Sequence, residues 1–314
     1  MTMPASQKIG IVTVLYNSDE VLPGFFASLA KQEGIQYRLY VIDNGTTDSG
    51  TRLSEALSAE YDIDAVCVFN NANVGVAKGN NQGIELALRD GCTQVLLANN
   101  DTEFESTTIL DLWKMLDGGR EQVVTPKIYY YEGERLIWYG GGHINAWLMR
   151  TPHYGDGETD RGQLDHQQYV HYAPTCFMLL TRAVFEQIGF MDERYFVYSD
   201  DTDFVWRMHR HGLRIRYAPG VHVLHKISSS TGGGLSPFSL YYTNRNRIFF
   251  IRKNLRGMQK LVALVYVLLT RLPRLGLLPK NLSERGWAGI REGFTLDVQK
   301  EADAGILRGP GKVG

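Results

Sequence analysis

The sequence predicts an α/β fold, with a mostly parallel central sheet flanked by helices and a helical C-terminal tail. Short, wholly apolar runs alternate with segments whose apolar residues recur at helical spacing, as βα units do. Polar residues gather just after the apolar runs, where open α/β sheets bind ligands. The 314 residues, 44% hydrophobic and 21% charged, suffice for one large domain with an appendage.

Residues 9–15 (IGIVTVL) read as a buried strand, and residues 18–32 place Val21, Leu22, Phe25, Phe26 and Leu29 on one helical face. Residues 38–42 (RLYVI) form a second strand that ends in the polar turn DNGTTD. A helix through Leu53 and Leu57, a strand over 65–69 and a helix over 75–88 follow. The strand at 94–98 (QVLLA) ends in Asn99, Asn100 and Asp101. Beyond it the pattern loosens. Residues 129–172 hold Gly, Tyr, Trp and His in short stretches that suit hairpins, and residues 175–181 (TCFMLLT) form another strand. A helix over 204–211 precedes a last strand at 221–225 (VHVLH).

Thirty-three basic against 34 acidic residues leave a formal charge of -1, without the basic surplus of a nucleic-acid binder. Cys67, Cys92 and Cys176 lie far apart, which fits reduced thiols and argues against a disulfide framework or a cysteine zinc site. The N-terminus has no signal-peptide pattern, so a cytoplasmic location is expected. The longest apolar stretch, 261–269 (LVALVYVLL), is half the roughly 20 residues that span a bilayer. Arg252, Lys253, Arg256, Lys260, Arg271, Arg274 and Lys280 flank it. That pattern suits a helix lying on an anionic membrane surface, and equally a helix packed on the domain or in a dimer contact.

Four groups of residues carry candidate chemistry. Asp43, at a strand end, is placed to accept hydrogen bonds from a nucleoside, although Asp-Asn-Gly is also an ordinary turn. Asp101, exposed at the end of an apolar strand, suits a hard divalent cation on a diphosphate; the competing role is an Asx turn leading to a helix cap at Thr102. Asp200, Asp201 and Asp203 precede the helix FVWRMHRHG, where acids also complement the helix dipole. Three acids beside Tyr195, Phe196 and Tyr198 exceed what capping needs and offer a base for a hydroxyl proton. His222 and His225 fall on opposite faces of their strand, so at most one reaches a common site, where it could complete the coordination begun by Asp101.

Together these stretches resemble the rhamnosyltransferase-like branch of glycosyltransferase family 2. The matching segments are VTVLYNS (12–18), VIDNGTTDSG (41–50), NNANVGVAKGNNQGI (70–84), VLLANNDTEF (95–104), GFMDERYFVYSDDTDFVWRMHRHGLRIRYAP (189–219), HVLHKISSS (222–230) and YYTNRNRIFF (241–250). They keep the family's order over about residues 8–255. The resemblance implies a GT-A fold with a Rossmann-like nucleotide-binding sheet. The implied catalytic domain covers residues 1–255, with a nucleotide-sugar half over about 8–105 and an acceptor half over about 106–255, and residues 256–314 form the tail.

By the same resemblance, Tyr16, Asn17, Asp43, Asn73, Gly75, Asn80, Asn81, Asn99 and Asn100 belong to the donor pocket. Asn99-Asn100-Asp101 matches the family's Asp-X-Asp metal motif with its first acid replaced, and His225 matches a histidine that can ligate the same Mg²⁺ or Mn²⁺. Asp200-Asp201 matches a Glu-Asp pair whose second member, here Asp201, is the catalytic base. Arg245 and Asn246 match a late Arg-Asn pair to which the sequence assigns no role. The implied reaction is an inverting, metal-dependent transfer of a sugar from a nucleotide diphosphate, with dTDP-L-rhamnose favoured and UDP-hexose or UDP-galactofuranose as alternatives. The expected acceptor is a saccharide, plausibly lipid-linked, of a cell-surface glycan such as O-antigen or capsule.

A sugar-1-phosphate nucleotidyltransferase would open with a GxGxR-like loop where this chain has IVTVLYNS. A processive synthase would carry QxxRW and several membrane spans. A non-enzymatic saccharide-binding protein would have no need of Asp101, Asp201 and His225 together.

Overall fold

The structure, a computed structural model, describes residues 2–4, 7–116, 120–166, 168–227 and 235–299. Residues 228–230 of the HVLHKISSS stretch and residues 300–314 of the expected tail lie outside the described residues.

The first half consists of repeated βα units: β1 (Ile9–Leu15), α1 (Leu22–Ala30), β2 (Tyr37–Asp43), α2 (Ser49–Glu60), β3 (Ala65–Phe69), α3 (Val76–Arg89) and β4 (Gln94–Ala98). β1 and β4 are apolar and buried almost throughout, as strands covered on both faces must be. Helix α3 lies unusually close to β1. A Cβ on Gly79 or Gly83 would come within 2.8 and 2.4 Å of Val14 and Val12, so glycines one turn apart let the helix settle onto the strand.

The chain continues through β5 (Thr102–Phe104), α4 (Thr108–Leu116), β6 (Val123–Tyr130), β7 (Ile137–Tyr139), β8 (Tyr169–Val170), β9 (Phe177–Thr181), α5 (Arg182–Ile188), α6 (Asp200–Arg210) and β10 (Ile215–His225). The sheet order is β3-β2-β1-β4-β9-β6-β10-β5, with β7 on β6 and β8 on β10. Strands β3, β2, β1 and β4 run parallel. β9 then enters antiparallel between β4 and β6, and β10 pairs parallel with β6. Because β1 is flanked by β2 on one side and β4 on the other, the order reverses there, opening a crevice at the strands' C-terminal ends.

Two boundaries differ from the sequence reading in useful ways. Helix α6 begins at Asp200, not at Phe204, so all three acids sit in its first turn. The Asn-Asn-Asp turn leads into the short edge strand β5 and not into a helix cap at Thr102. Between β7 and β8 the chain makes an irregular excursion pinned by bridges between Gly142 and His153 and between Asn145 and Arg150. Below it, fully buried Lys127 pairs with Asp160, which also accepts from Tyr129 and Arg135. Burial works to raise the Asp160 pKa, yet these donors hold it well below the usual carboxylate range.

The chain ends in α7 (Pro237–Asn254), α8 (Gly257–Gly276) and α9 (Lys280–Thr295). These helices share a second core, Ile248, Phe249, Ile251, Ala263, Val267 and Ile290 among its members, which also takes in Tyr195. The helices past residue 255 are thereby packed to α7 and, through Tyr195, to the loop before α6. Among the described residues, no helix is long and apolar enough to cross a membrane.

Candidate active site

A cavity of about 500 Å³ opens over the C-terminal ends of the parallel strands. Tyr16, Asn73, Gly75, Asn80, Asn99, Asn100, Asp101 and His225 line it, which brings together eight of the expected site residues. Asn44, Phe196, Val197 and Phe238 line it as well, none of them singled out as donor contacts from the sequence. Asn17, Asp43, Asn81, Asp200 and Asp201 stand outside this lining.

Local structure explains the placements. Asp43 ends β2 with its carboxylate turned into its own loop, accepting from Gly45 N–H, Thr51 N–H and the Thr51 hydroxyl at 2.8 Å each. It holds the turn while its neighbour Asn44 reaches the cavity and donates to Gly75 C=O at 3.1 Å. Asn81, one residue beyond the lining, exchanges hydrogen bonds with the Met191 backbone and so ties α3 to the loop before α6. Asn73 accepts from Gly75 N–H, and Asn100 donates to Ser18. Asn17 takes a left-handed backbone (φ 50°) at the exposed edge. Gly75 has φ 89°, and a Cβ there would fall 2.6 Å from Phe196 C=O, which accepts from Val76 N–H at 2.6 Å. Only glycine fits that junction between the two halves.

Asp101 and His225 form the polar end of the cavity. β4 delivers the first and β10 the second, and β5 pairs with β10 so that Thr102 lies opposite His225. Their Oδ1 and Nε2 atoms are 3.1 Å apart and both side chains are buried. Two ligands on adjacent vertices around a small hard cation with bonds of about 2.1 Å are separated by about 3 Å, so this donor pair fits one shared divalent ion. His222 points elsewhere, ring to ring with Tyr129 and within 3.1 Å of Pro219 C=O, as strand alternation requires. Among the described residues no cluster of three His, Cys, Asp or Glu side chains could hold a metal, so a cation here would complete its shell with substrate oxygens and water.

The first turn of α6 divides its three acids among three tasks. Asp203 is fully buried and accepts from the Tyr195 hydroxyl, Arg207, Lys253 and Asn254. Burial pushes its pKa upward, but Lys253 and Arg207 hold it below the usual range. Asp200 is also buried, and among the described residues no ion pair reaches it; burial and then the charge of Asp201 push it up to about 7. Asp201 is half-buried and faces the second half of the site. Its Oδ1 caps Thr202 N–H, and its Oδ2 accepts the Tyr172 hydroxyl at 2.5 Å. Burial, and then that carboxylate, keep the Tyr172 phenol protonated, so it acts as a fixed donor.

Three ring-bearing residues outside the cavity lining link its polar end to Asp201, and sequence reading passed over all of them. The Trp138 ring meets His225 at 4.6 Å and His153 at 4.8 Å, and His153 stacks on Tyr172 at 5.8 Å. His153 thus stands within electrostatic reach of both Asp201 and His225. Burial depresses its pKa and favours a neutral ring. The signal available in the sequence was only that Trp, His and Tyr cluster within 129–172.

The Arg245–Asn246 pair also acquires a place. Asn246 Nδ2 lies within 2.9 Å of the carbonyls of Tyr195, Val197 and Tyr198, and Arg245 donates to the carbonyl of Arg194. The loop they grip holds Phe196, Tyr198 and Ser199 at φ of 61–65°, a left-handed run that non-glycine residues rarely adopt. It leads directly into Asp200 and Asp201.

Residues 10–189 match the profile of glycosyl transferase family 2. The chain belongs to that family. It is 25% identical over 240 residues to a low-salt glycan biosynthesis hexosyltransferase of Haloferax volcanii, covering 76% of this chain and 74% of that one. It is 23% identical over 256 residues to a dTDP-rhamnosyl transferase of Shigella flexneri, covering 79% and 81%. It is 27% identical over 241 residues to an N-acetylglucosaminyl-diphospho-decaprenol L-rhamnosyltransferase of Mycobacterium tuberculosis, covering 71% and 77%. Among solved structures, residues 1–349 of S. aureus TarS superpose with a TM-score of 0.59 at 16% identity, over 95% of this chain and 82% of that one. A Pyrobaculum calidifontis mannosyltransferase in complex with GDP-Man and Mn²⁺ gives 0.55 at 13% identity, over 94% and 78%. The fold is GT-A, and the protein is a glycosyltransferase of family 2 with rhamnosyl- and hexosyltransferase relatives.

Proposed function

We propose that this glycosyltransferase moves L-rhamnose from dTDP-L-rhamnose onto a saccharide of a cell-surface glycan such as O-antigen or capsule, with inversion at the anomeric carbon. The observation that carries the reading is that two chemically distinct pairs, Asp101 with His225 and Asp201 with Tyr172, are joined by a chain of ring contacts through Trp138 and His153. In this reading residues over about 8–105 hold the donor, residues over about 106–255 hold the acceptor, and the helices beyond 255 buttress the second part.

The donor occupies the cavity, its nucleoside toward the β1 and β2 ends near Tyr16 and Asn44 and its diphosphate toward Asp101. Asn73, Asn80, Asn99 and Asn100 supply uncharged polar contacts, and Asp43 and Asn81 act behind them by fixing the turn and α3. Asp101 and His225 hold a divalent cation, Mg²⁺ or Mn²⁺, which when bound neutralises charge on the diphosphate. Asp201 takes the proton from the acceptor hydroxyl. The freed oxygen bonds to the anomeric carbon as the bond to the diphosphate oxygen breaks. Tyr172 keeps Oδ2 of Asp201 oriented, and Asp200, raised toward neutrality, does not compete as base.

The two rhamnosyltransferase relatives support the donor sugar. The hexosyltransferase relative supports a second reading, a UDP-hexose donor in the same site. The mycobacterial relative's name also supports a lipid-linked acceptor, met at the inner face of a membrane by a cytoplasmic enzyme. A panel of nucleotide sugars with Mn²⁺, read by nucleoside diphosphate release and by the anomeric configuration of the product, tests the proposal. Preferential use of dTDP-L-rhamnose with inversion is expected. Retention, or no turnover and no binding of any donor, would overturn it.

A further inference from the structure

One wall of the donor cavity differs from the rest. Asn44, Asn73, Asn99 and Asn100 bring amides to the lining, whereas Phe196, Val197 and Phe238 bring no polar side-chain atom. The Phe196 and Phe238 rings stand 6.4 Å apart, and both rest on Tyr242, at 4.9 and 4.8 Å.

The backbone behind that wall is closed as well. Phe196 has φ 65° and ψ −62°, a γ-turn in which Val197 N–H donates to Tyr195 C=O at 2.7 Å; this positive-φ form is rare and strained. Phe196 N–H donates to Glu193 C=O at 3.2 Å, and its own C=O accepts Val76 N–H at 2.6 Å. Val197 C=O accepts from Asn246 Nδ2 at 2.7 Å. Every backbone N–H and C=O of Phe196 and Val197 thus has a partner inside the protein. A strained turn persists only where its surroundings hold it, and this one lines the cavity with two apolar side chains while its polar groups are spent elsewhere.

We infer that this wall selects the donor sugar by its C6 group, accepting the methyl of a 6-deoxyhexose and rejecting the hydroxymethyl of a hexose. The inference rests on the proposed dTDP-L-rhamnose donor and assigns its selectivity to Phe196, Val197 and Phe238. With the nucleoside near Tyr16 and Asn44 and the diphosphate at Asp101, the sugar is the part of the donor left for this wall. The loop continues from Val197 into Asp200 and Asp201, so a sugar seated on it is next to the segment that carries the base. A methyl group there leaves water for apolar surface, which is favourable. A hydroxymethyl would bury a hydroxyl against a wall that, among the described residues, offers it no free partner, and that costs binding.

The test is equilibrium binding, with Mn²⁺ present, of dTDP-L-rhamnose, its 6-hydroxy counterpart dTDP-L-mannose, UDP-glucose and dTDP alone. The wild type is expected to bind dTDP-L-rhamnose about 10–10²-fold more tightly than dTDP-L-mannose, the range over which an apolar pocket rejects an added hydroxyl. Val197→Thr keeps the side chain's shape and supplies a hydroxyl, and is expected to narrow that ratio by about tenfold, the worth of one hydrogen bond. Phe238→Gln, at a half-buried position, is expected to narrow it in the same direction. Both variants should bind dTDP alone as the wild type does, which also shows that they fold. Equal wild-type affinity for the two sugars, or a ratio that neither variant moves, overturns the wall's role even if dTDP-L-rhamnose still binds more tightly than UDP-glucose. Weaker binding of dTDP itself, in variants that keep the wild-type melting temperature, assigns the wall to the nucleotide and also overturns it. Tighter binding of UDP-glucose than of dTDP-L-rhamnose overturns the donor reading, and this inference with it.

Discussion

The two halves of the sheet place their functional groups by different rules. In the proposed donor half several groups follow a strand end closely, Tyr16 after β1, Asn44 after β2 and Asp101 after β4, while Asn80 comes from α3. Sequence position sets spatial position there, because parallel βα units deliver every strand end to the same edge. In the acceptor half nothing comparable operates. Asp201 is oriented by Tyr172, 29 residues earlier, and its loop is held by Asn246, 45 residues later. The donor half is a scaffold that carries its site as a by-product of folding. The acceptor half is built by long-range polar contacts, and those contacts are where it should be most fragile.

The largest expected effect follows from Asp203, the buried carboxylate that gathers Lys253, Arg207, Tyr195 and Asn254. Asp203→Ala leaves Arg207 without its carboxylate and Lys253 with Asp192 alone, and is expected to cost about 3–5 kcal/mol in denaturant unfolding. A loss under about 1 kcal/mol, the range of a surface pair, would break the comparison. Next comes Asn246→Ala, which strips the donor from three loop carbonyls and is expected to cost about 1–3 kcal/mol. Its sharper signature is kinetic: kcat should fall while the dissociation constant for donor stays near the wild-type value. Equal losses in both would place the clamp's influence in the donor half as well.

The third effect, read through pH and not through a single unfolding free energy, concerns Asp200. Its pKa stands at about 7 in the folded state against a model-peptide value of 3.8, so the folded protein favours the protonated form. Stability is then greatest on the acid side of 3.8 and declines as pH rises through about 7. Asp200→Asn does not titrate, so its melting temperature should gain on the wild type between pH 5 and pH 8 and level off above. A constant difference across that range would show that burial of Asp200 is not the dominant influence.

How much was legible in advance follows the same division. The order of βα units, the strand-end polar groups and the opposite facing of His222 and His225 could be read from periodicity, because strand alternation leaves little freedom, while the choice of His225 came from the family resemblance. What escaped was whatever depends on partners distant in sequence. Nothing local distinguishes Asp43, whose carboxylate closes its own turn, from Asn44, which reaches the cavity. Nor could the three acids of α6 be ranked, since Lys253 decides for Asp203 and Tyr172 for Asp201. Trp138 sits in the three-residue strand β7 and His153 in the excursion beyond it, segments too short or irregular for periodicity, and only the closed fold reveals that they link His225 to Tyr172.

The central claim is that donor binding rests on the cavity closed by Asp101 and His225, and deprotonation on Asp201 outside it. Equilibrium donor binding and turnover of Asp201→Asn, each with Mn²⁺ present, test it most directly. Donor affinity should stay within about twofold of wild type while kcat falls about 10²–10⁴-fold, the range a positioned general base supplies. Near-normal turnover, or a loss of donor affinity as large as the loss of rate, would contradict it.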